Sequence, residues 1–241
     1  MTGTFINVGT VLLGSLLGIT LGSRLSESMR ETVLRGLGLV TLIIGVDMAL
    51  PAANILIPLA SLLDGGILGE MLDIEGALNR LGGWLEERFT QGEDEAGSNR
   101  FIQGFVTASL LFCVGPLTII GSIQDGLSGD ATILTVKAML DGFASLAFAS
   151  TLGIGVAFSA LTVLVVQGGI SLLAGVASAI LTEPMITELS ATGGMLIVGL
   201  SVSSLLQITP IRVGNFLPAL LIAPLIVAAL TALGLPVAPQ F

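Results

Sequence analysis

Lys137 and Asp141 are the residues with the most evident chemistry in this chain of 241 residues, because both lie inside an apolar stretch, four positions apart. At that spacing two side chains stand one turn apart on the same face of a helix. Ionisable groups in apolar surroundings are costly, so they are functional candidates unless they pair. Two interpretations follow. Either the charges neutralise each other as a structural pair, or Asp141 binds or relays a cation or proton while Lys137 offers its charge to an anion.

Breaks in the apolar stretches are a second kind of candidate. Gly115 and Pro116 interrupt one stretch, and Gly153 with Gly155 ends the next. Proline removes one backbone hydrogen bond and frees carbonyl groups that can hold an ion or a polar ligand. A packing kink without a function is the alternative.

Single polar residues within or beside apolar stretches complete the set. One hydroxyl group usually bonds back to its own helix, but a converging set of hydroxyl and amide groups could line a polar path. Asn7 is one such amide near a helix start. The other candidate binding residues are Asp47, Asn54, Asn215, Thr107 and Ser145.

The residue types that are absent or rare exclude several classes of function. The chain has no His, a single Cys and eight Lys and Arg residues in total. Without His it lacks the commonest general base and metal ligand, and no nucleophile–base pair, phosphate loop or metal spacing is present. Eight basic residues do not make a basic face for nucleic acid. We therefore expect no enzyme, no metal, no cofactor and no nucleic-acid partner.

Composition places these residues in a lipid bilayer. Hydrophobic residues make up 53% of the chain and charged residues 10%, with a mean hydropathy of +1.01. Soluble domains carry about 25% charged residues, and a spanning helix needs about 20 mostly apolar ones. The sequence predicts an all-α polytopic transmembrane bundle with about eight spans, at residues 3–22, 36–51, 54–70, 101–122, 131–149, 155–181, 191–208 and 213–234.

Basic residues test the number of spans and set their orientation. With eight spans, the connections after the first, third, fifth and seventh share one face and hold seven of the eight basic residues, while Lys137 lies inside the fifth span. By the positive-inside rule this face is cytoplasmic, so both termini are outside. Merging the fifth and sixth spans would move Arg212 to the outside, which favours eight.

The cytoplasmic connection 71–100 contains an amphipathic segment. Apolar residues recur every three or four positions from Ile74 to Phe89, with charged residues between them. This pattern is typical of a helix lying on the membrane surface, with Trp84 near the headgroups. A cytoplasmic helix packed on the bundle is an equal alternative.

Internal similarity divides the single transmembrane domain, residues 1–241. Residues 15–29 align with 171–185, and 42–50 with 196–204, so the first three spans look like a copy of the last three. The two copies are offset by five spans. Because five is an odd number, the copies have opposite orientations in the membrane. Residues 104–115 align in turn with residues 142–153, and both relations fit one pseudo-twofold axis in the membrane plane. The prediction is an inverted repeat, with repeat one at 1–70, the amphipathic connection at 71–100, a central helix pair at 101–155 and repeat two at 156–241.

Inverted repeats with broken helices at equivalent positions are typical of secondary transporters, whose substrate binds near the midplane. We expect a secondary transporter or ion-coupled permease for a small polar or ionic solute, with its site at the broken central helices. The alternative is a passive channel or a structural membrane subunit that forms a homo-oligomer through glycine-rich helix faces. Gly14, Gly18 and Gly22 form such a face, although packing within the chain would also explain it.

Several segments resemble the DUF554 family of prokaryotic membrane proteins. They are GTFINVGTVLLGSLLG, GLGLVTLIIGVDMAL, FCVGPLTIIGSIQDGL, KAMLDGFASLAFASTLGIG, GGMLIVGLSV and IRVGNFLPAL, and they are spread over nearly the whole chain. The resemblance implies a multi-pass protein of the cytoplasmic (inner) membrane with a transport role and no settled substrate. It supplies no catalytic residues. The matched central segments contain Gly115, Pro116, Asp125, Lys137 and Asp141.

Overall fold

The computed structural model of the chain describes residues 1–89 and 95–238, and every regular element within these ranges is helical. The predicted all-α class is confirmed. The α-helices in these ranges are α1 (Thr2–Gly22), α2 (Glu27–Ala49), α3 (Leu56–Met71), α4 (Ile74–Phe89), α5 (Glu95–Val114), α6 (Pro116–Ser128), α7 (Thr132–Leu152), α8 (Gly155–Leu172), α9 (Ala174–Ile180), α10 (Glu183–Leu200) and α11 (Ala219–Ala232). A π-helical turn, Ser201–Leu205, extends α10, and a 3₁₀ turn, Val213–Phe216, precedes α11.

Six helices in the described ranges are long and apolar enough to cross a membrane, namely α1, α2, α7, α8, α10 with its π-helical turn and α11 with its 3₁₀ turn. The bent pair α5 and α6 adds a seventh if it forms one span. Helix α3, with 16 residues, is shorter than a typical span. The membrane-spanning architecture is therefore confirmed, whereas the count of eight stays a prediction.

Several helices begin earlier than their apolar stretches. Helix α2 starts at Glu27 instead of residue 36, because the Ser26 hydroxyl caps it by accepting a hydrogen bond from the Met29 N–H at 3.3 Å. Helix α10 starts at Glu183 instead of 191, with Pro184 in its first turn, where a missing N–H costs nothing. Polar first turns carry these helices beyond the apolar segments that predicted them.

The predicted break at Gly115 and Pro116 is confirmed. Helix α5 ends at Val114, Gly115 is extended (φ −71°, ψ 152°) and Pro116 opens α6, so the two helices meet at a bend of 62°. Proline cannot donate to the carbonyl one turn earlier. The Thr118 hydroxyl donates to the Phe112 carbonyl at 3.0 Å instead. The predicted span 101–122 is thus two helices.

The second predicted break lies between two helices. Helix α7 is continuous to Leu152, and Gly153 ends it with φ +76°, a left-handed conformation that favours glycine. Helix α8 then begins at Gly155. The predicted separation of the fifth and sixth spans is confirmed, and this break forms the connection between them.

Glycine contacts set the directions of the central helices. Gly14, Gly18 and Gly22 of α1 pack in that order against residues 142–150 of α7, so the two helices are parallel and their backbones are close. This glycine face is used for packing inside the chain. The contact of Gly155 with Phe101 and a 2.9 Å hydrogen bond between Ser109 and Thr162 make α5 and α8 parallel in the same way.

Contacts between the remaining helices run in opposite directions. Gly45 of α2 packs on Gly194 of α10, while the Ser201 hydroxyl donates to the Gly38 carbonyl at 2.6 Å. On α3, residues 57, 65 and 69 lie against residues 227, 219 and 215 in the order that makes α3 antiparallel to α11. These directions are those that an inverted repeat requires, although the repeat itself stays a prediction.

Seven arginines lie at one end of the bundle, which we call the basic end. The connections between helices contact one another at this end. Arg30 donates to the Gly22 carbonyl at 2.9 Å, and Arg212 lies 2.5 Å from the Glu70 carboxylate. The arginines there are Arg24, Arg30, Arg35, Arg80, Arg88, Arg100 and Arg212. Segregation of charge at one end matches the predicted pattern.

The predicted amphipathic helix is confirmed as α4, Ile74–Phe89. Leu85 is buried in a cluster with Phe101 and Phe105 of α5, so the apolar face packs on the bundle. Trp84 is 58% exposed beside it. Packing on the bundle is therefore observed, and contact of Trp84 with lipid headgroups stays a prediction.

Candidate functional site

The two ionisable residues on α7 form an ion pair inside the bundle. Lys137 and Asp141 are 5% and 8% exposed, and the Lys137 ammonium group donates to Oδ2 of Asp141. The predicted helical spacing places one directly above the other. A charge pair this deeply buried gains little net stability, because desolvation offsets its attraction. Its presence is therefore a reason to look for a function.

Two amide side chains from other helices extend this pair. Nδ2 of Asn7, on α1, donates to Asp141 Oδ2 at 2.9 Å and to Oε1 of Gln167, on α8, at 3.0 Å. Both amide residues are fully buried. We call Asn7, Lys137, Asp141 and Gln167 the polar quartet. It joins the consecutive helices α7 and α8 to α1, which is distant from them in sequence.

The quartet has hydrogen-bonding capacity to spare. Oδ1 of Asn7 and Nε2 of Gln167 are buried and have no partner among the described residues. Ser145, one turn beyond Asp141, has a buried hydroxyl in the same condition. An unmet buried polar group costs about 1–3 kcal/mol, and such groups in native proteins call for an explanation such as an ion, water or ligand. The quartet can therefore offer a donor and an acceptor besides its charges.

Further unmet polar atoms surround the quartet. They lie on α1, α6 and α8. In the described part of the chain, the atoms towards the end of the bundle opposite the basic end belong to Thr4, Ser122, Asp125 and Ser171, while Ser15 lies about two turns from Asn7 on the side of the basic end. A run of such atoms between packed helices is suited to a hydrated ion or a small polar solute.

Asp125 is a third buried charge near this region. Its Oδ2 accepts the Gly3 N–H at 3.1 Å, while Oδ1 has no partner among the described residues. The side chain is 0% exposed. The sequence placed Asp125 in the matched central segments but gave no reason to single it out, because it lies near a helix end.

The break at Gly115 and Pro116 contributes to the site because it sets the direction of α6. Gly121 of α6 packs against Leu134 of α7, one turn before Lys137. The bend therefore brings α6, with Ser122 and Asp125, beside the half of α7 that carries the ion pair. Gly153, in contrast, lies 12 residues beyond Asp141, which is about 18 Å along the helix.

Asn54 lies away from the quartet and caps a helix. Its Oδ1 accepts the Leu56 N–H at 3.1 Å, and its Nδ2 donates to the Val237 carbonyl at 3.0 Å. The backbone N–H of Asn54 donates to Oε1 of Glu188 at 3.0 Å. Glu188 is fully buried on α10, a carboxylate that the sequence analysis did not single out.

Asn215 lies at the basic end and holds α4 in place. Its Oδ1 accepts the Glu75 N–H at 2.7 Å, and its Nδ2 donates to Glu70 at 2.6 Å. The Glu75 carboxylate accepts the Gly214 N–H at 2.7 Å in return. Asn54 and Asn215 thus lie at opposite ends of the bundle. The other predicted carboxylate besides Asp141 is Asp47, which is exposed near the end of α2.

Thr107 opens onto a different cavity, which we call the inner cavity. It measures about 450 Å³ and lies between α4, α5 and the π-helical turn at the basic end. Its lining is rich in amide and hydroxyl groups, including Gln103, Ser203 and Gln207. The Thr107 hydroxyl is buried without a partner among the described residues, and Gln207 has a positive φ of 55°. π-helical turns occur frequently at functional sites.

Gln167 is the member of the quartet that sequence reasoning missed. It stands in the apolar stretch 155–181 with no other strongly polar side chain beside it. A lone amide in such a stretch was the available signal, but its partner, Asn7, lies 160 positions away.

Apolar helices that surround a buried ion pair define a polytopic membrane protein. Residues 2–228 match the family described as protein of unknown function (DUF554), and the chain belongs to this family. It is 33% identical to the uncharacterized protein YqgA of Escherichia coli strain K12. The aligned region of 230 residues covers 95% of this chain and 97% of that protein.

A second relative is similar over its whole length. The chain is 32% identical over 239 residues to the uncharacterized membrane protein YdfK of Bacillus subtilis strain 168, which covers 98% of this chain and 99% of that protein. No solved structure matches the chain. The resemblance found in the sequence is confirmed as family membership.

Proposed function

We propose that the chain is a secondary transporter for a small polar or ionic solute, coupled to a cation or proton. The observation that carries this proposal is the polar quartet, a buried charge pair whose amide neighbours keep an unused donor and acceptor. Ionisable groups at membrane depth typically mark an ion or substrate pathway. We place the protein in the cytoplasmic membrane with the basic end inside and both termini outside, as the arginine distribution favours.

In the proposed cycle, Lys137 and Asp141 exchange partners. While the two side chains pair, Asp141 needs no other cation. When a cation or proton reaches Asp141, Lys137 is released and its charge becomes available to an anionic or polar solute. The amides of Asn7 and Gln167 supply the neutral hydrogen bonds that position the solute.

Access to the quartet is unequal from the two ends. The unmet polar atoms of Thr4, Ser122, Asp125 and Ser171 lead from the quartet towards the end opposite the basic end. On the other side, an apolar cluster that includes Val11, Phe112, Phe148 and Val163 lies between the quartet and the inner cavity. We interpret this cluster as the closed side of a gate, with the inner cavity as the vestibule beyond it.

A passive channel or a structural subunit is the competing function. A channel would conduct without coupling, and a subunit would need a surface for its partner. Gly14, Gly18 and Gly22 are covered by α7 within the chain, so these three glycines do not provide that surface. A homo-oligomer through another face stays a prediction.

Reconstitution tests the proposal. The purified chain is placed in liposomes containing the pH dye pyranine, and mixtures of amino acids, carboxylic acids or sugars are added with or without a sodium gradient. Solute-dependent proton or sodium-coupled flux is expected in the wild type and not in Asp141→Asn. Ser159→Ala is the matched control, since its buried hydroxyl donates to the Val156 carbonyl at 2.7 Å on α8.

Two results would contradict the transporter. One is flux that ignores the imposed gradients, which indicates a channel. The other is an Asp141→Asn variant whose only defect is a lower melting temperature, which makes the pair structural.

A further inference from the structure

Four buried side chains with oxygen atoms lie beside the polar quartet, towards the end of the bundle opposite the basic end. The hydroxyl groups of three of them and one carboxylate oxygen of the fourth, Oδ1 of Asp125, have no partner among the described residues. We call the four residues the oxygen cluster, and each is at most 4% exposed: Thr4, Ser122, Asp125 and Ser171. Because every buried polar atom without a partner costs free energy, the cluster calls for a ligand that its members can share.

Two contacts hold α6 against its neighbours at this level. The Gly3 N–H of α1 donates to Oδ2 of Asp125 at 3.1 Å. At Gly126, the next residue of α6, a methyl group would lie 2.1 Å from the Ser171 carbonyl oxygen, so the backbones of α6 and α8 are in direct contact there. Asp125 therefore lies beside both the start of α1 and the last turn of α8.

The remaining members of the cluster occupy positions next to these contacts. The Thr4 methyl group lies 3.6 Å from the place where a methyl group on Gly168 would be, one turn before Ser171 on α8. On α6, Ser122 stands one turn before Asp125, and residues at that spacing share a helix face. The start of α1, the second half of α6 and the end of α8 thus bring their oxygen atoms into one region.

The charge of the oxygen cluster fits a monovalent cation. It consists of one carboxylate and three hydroxyl groups, which are hard oxygen ligands. Oδ2 of Asp125 also lies 2.9 Å from the amino group of Met1, which is 34% exposed and offsets part of the negative charge. Divalent ions such as Ca²⁺ typically bind several carboxylates. The close contact of α6 with α8 leaves a small space, which favours sodium over the larger potassium ion.

The oxygen cluster lies one helical turn from the polar quartet. Thr4 precedes Asn7 by three positions on α1, and Ser171 follows Gln167 by four positions on α8. One turn of an α-helix is about 5.4 Å long. A cation in the cluster would therefore act on the charges of the quartet through buried, poorly screening surroundings.

We propose that the oxygen cluster binds a sodium ion, with Oδ1 of Asp125 and the hydroxyl oxygens of Thr4, Ser122 and Ser171 as its ligands. The inference rests on the proposed transport function, since it names the coupling cation and the place where it binds. The bound ion serves four buried oxygen atoms at once and holds α1, α6 and α8 together beside the quartet. In secondary transporters, helix ends near the substrate typically coordinate the coupling ion.

Thermal unfolding of the detergent-purified full chain tests the site without any transport step. The melting temperature is measured in sodium, potassium or choline chloride at equal concentration. Wild-type protein should gain about 2–5 °C in sodium chloride relative to the other two salts. Asp125→Asn should lose this gain, because it removes the charge of the site. The matched control is Asp130→Asn, which removes an exposed carboxylate at the same end of the bundle and should keep the gain.

Two serine variants carry the comparison if Asp125→Asn does not fold. Ser122→Ala and Ser171→Ala each remove one oxygen ligand together with a buried hydroxyl group that has no partner among the described residues. Both should fold and bind radioactive sodium about fivefold more weakly than wild type. Ser159→Ala should bind it as wild type does, because the Ser159 hydroxyl donates to the Val156 carbonyl on the same helix at 2.7 Å.

A wild-type protein that gains no stability in sodium chloride and binds no radioactive sodium would overturn the site. Sodium gains in Asp125→Asn, Ser122→Ala and Ser171→Ala equal to that of the wild type would do the same. Failure of the transport proposal gives a different result, because sodium would still bind while no solute flux depends on its gradient. Flux coupled to protons alone, without sodium binding, would keep the transporter and remove the sodium site.

Discussion

The side-chain amide of Asn7 lies 2.9 Å from the carboxylate of Asp141, although 134 positions separate the two residues. This hydrogen bond ties α1 to α7 at the level of the buried ion pair. Because the same Asn7 nitrogen also reaches Gln167, a shift of α1 would change the surroundings of Asp141 and of α8 together. The relationship gives the proposed transport cycle a physical connection between its charge and the movement of its helices.

Replacement of either member of the ion pair should separate function from stability. Asp141→Asn leaves Lys137 without its counter-charge but keeps an oxygen that accepts from Lys137 and Asn7, so we expect a smaller loss of stability and a folded protein without coupled transport. Lys137→Met leaves Asp141 without its cation and should cost about 3–5 kcal/mol of unfolding free energy. Heating followed by size-exclusion chromatography measures the second effect. Equal losses of stability in the two variants would contradict the assignment.

Gln167→Leu should impair transport more than stability. The substitution removes one hydrogen bond from Asn7 but also removes a buried Nε2 that has no partner among the described residues. These effects oppose each other, so we expect a change of about 1 kcal/mol or less in unfolding free energy. Uptake in proteoliposomes should fall at least tenfold, while Ser159→Ala on the same helix should transport normally. Unchanged uptake in Gln167→Leu would exclude this amide from the solute path.

A methyl group at Gly14 should destabilise the bundle. It would collide with the Gly142 carbonyl oxygen of α7, a backbone atom that cannot move without shifting the helix. Gly14→Ala should therefore cost about 1–3 kcal/mol. Gly9→Ala, on the same helix with nothing within 4 Å of the new group, is the control. It should be neutral or slightly stabilising, since alanine favours helix. Melting temperatures that fall equally would contradict the close packing of α1 on α7.

Asp130 should give part of the acid sensitivity of the fold. Its carboxylate accepts from the Thr132 N–H at 2.9 Å and hydroxyl at 2.6 Å, just before α7, and these hydrogen bonds lower the pKa of Asp130. A carboxyl group whose pKa is lower in the folded state stabilises it above the unfolded pKa, and this contribution is lost as pH falls through the folded value. Asp130 should therefore contribute at pH 7 and lose its contribution below about pH 4.

Two substitutions check this pH dependence by thermal unfolding between pH 3 and pH 7. Asp130→Asn keeps an oxygen acceptor at the helix start, so its stability at pH 7 should be close to wild type with less loss in acid. Asp130→Ala should be less stable at pH 7 and show the same reduced acid loss. A wild-type-like pH profile in Asp130→Asn would show that Asp130 does not contribute.

The orientation of the chain can be tested with single cysteines. In a Cys113→Ser background, a cysteine at Arg35 should react only after a membrane-permeant reagent is added to intact cells, because the basic end is predicted to face the cytoplasm. A cysteine at Asp130, at the opposite end, should react with an impermeant maleimide. A reporter fused to the C-terminus should be active outside. A cytoplasmic C-terminus would rule out the eight-span arrangement.

Local chemistry in the sequence determined much of this protein. The apolar stretches predicted membrane helices, Gly115 and Pro116 predicted the bend, the period from Ile74 to Phe89 predicted α4, and the spacing of Lys137 and Asp141 predicted a pair on one helix face. Each of these features depends on residues a few positions apart, where backbone geometry alone fixes their relation. The arginines lie in the connections between the apolar stretches, and this too can be read directly from the sequence.

Only the tertiary structure decided which polar groups meet. Asn54 and Asn215, grouped as candidates by the sequence, cap helices at opposite ends, whereas Asn7 donates to both Asp141 and Gln167. In a soluble helix the apolar stripe marks the buried face, but helices in lipid are apolar on nearly all sides. Hydrophobic periodicity therefore cannot tell which face of α1 or α8 turns inward. Close backbone approach at glycines such as Gly14 makes that choice, and it is a property of two helices at once.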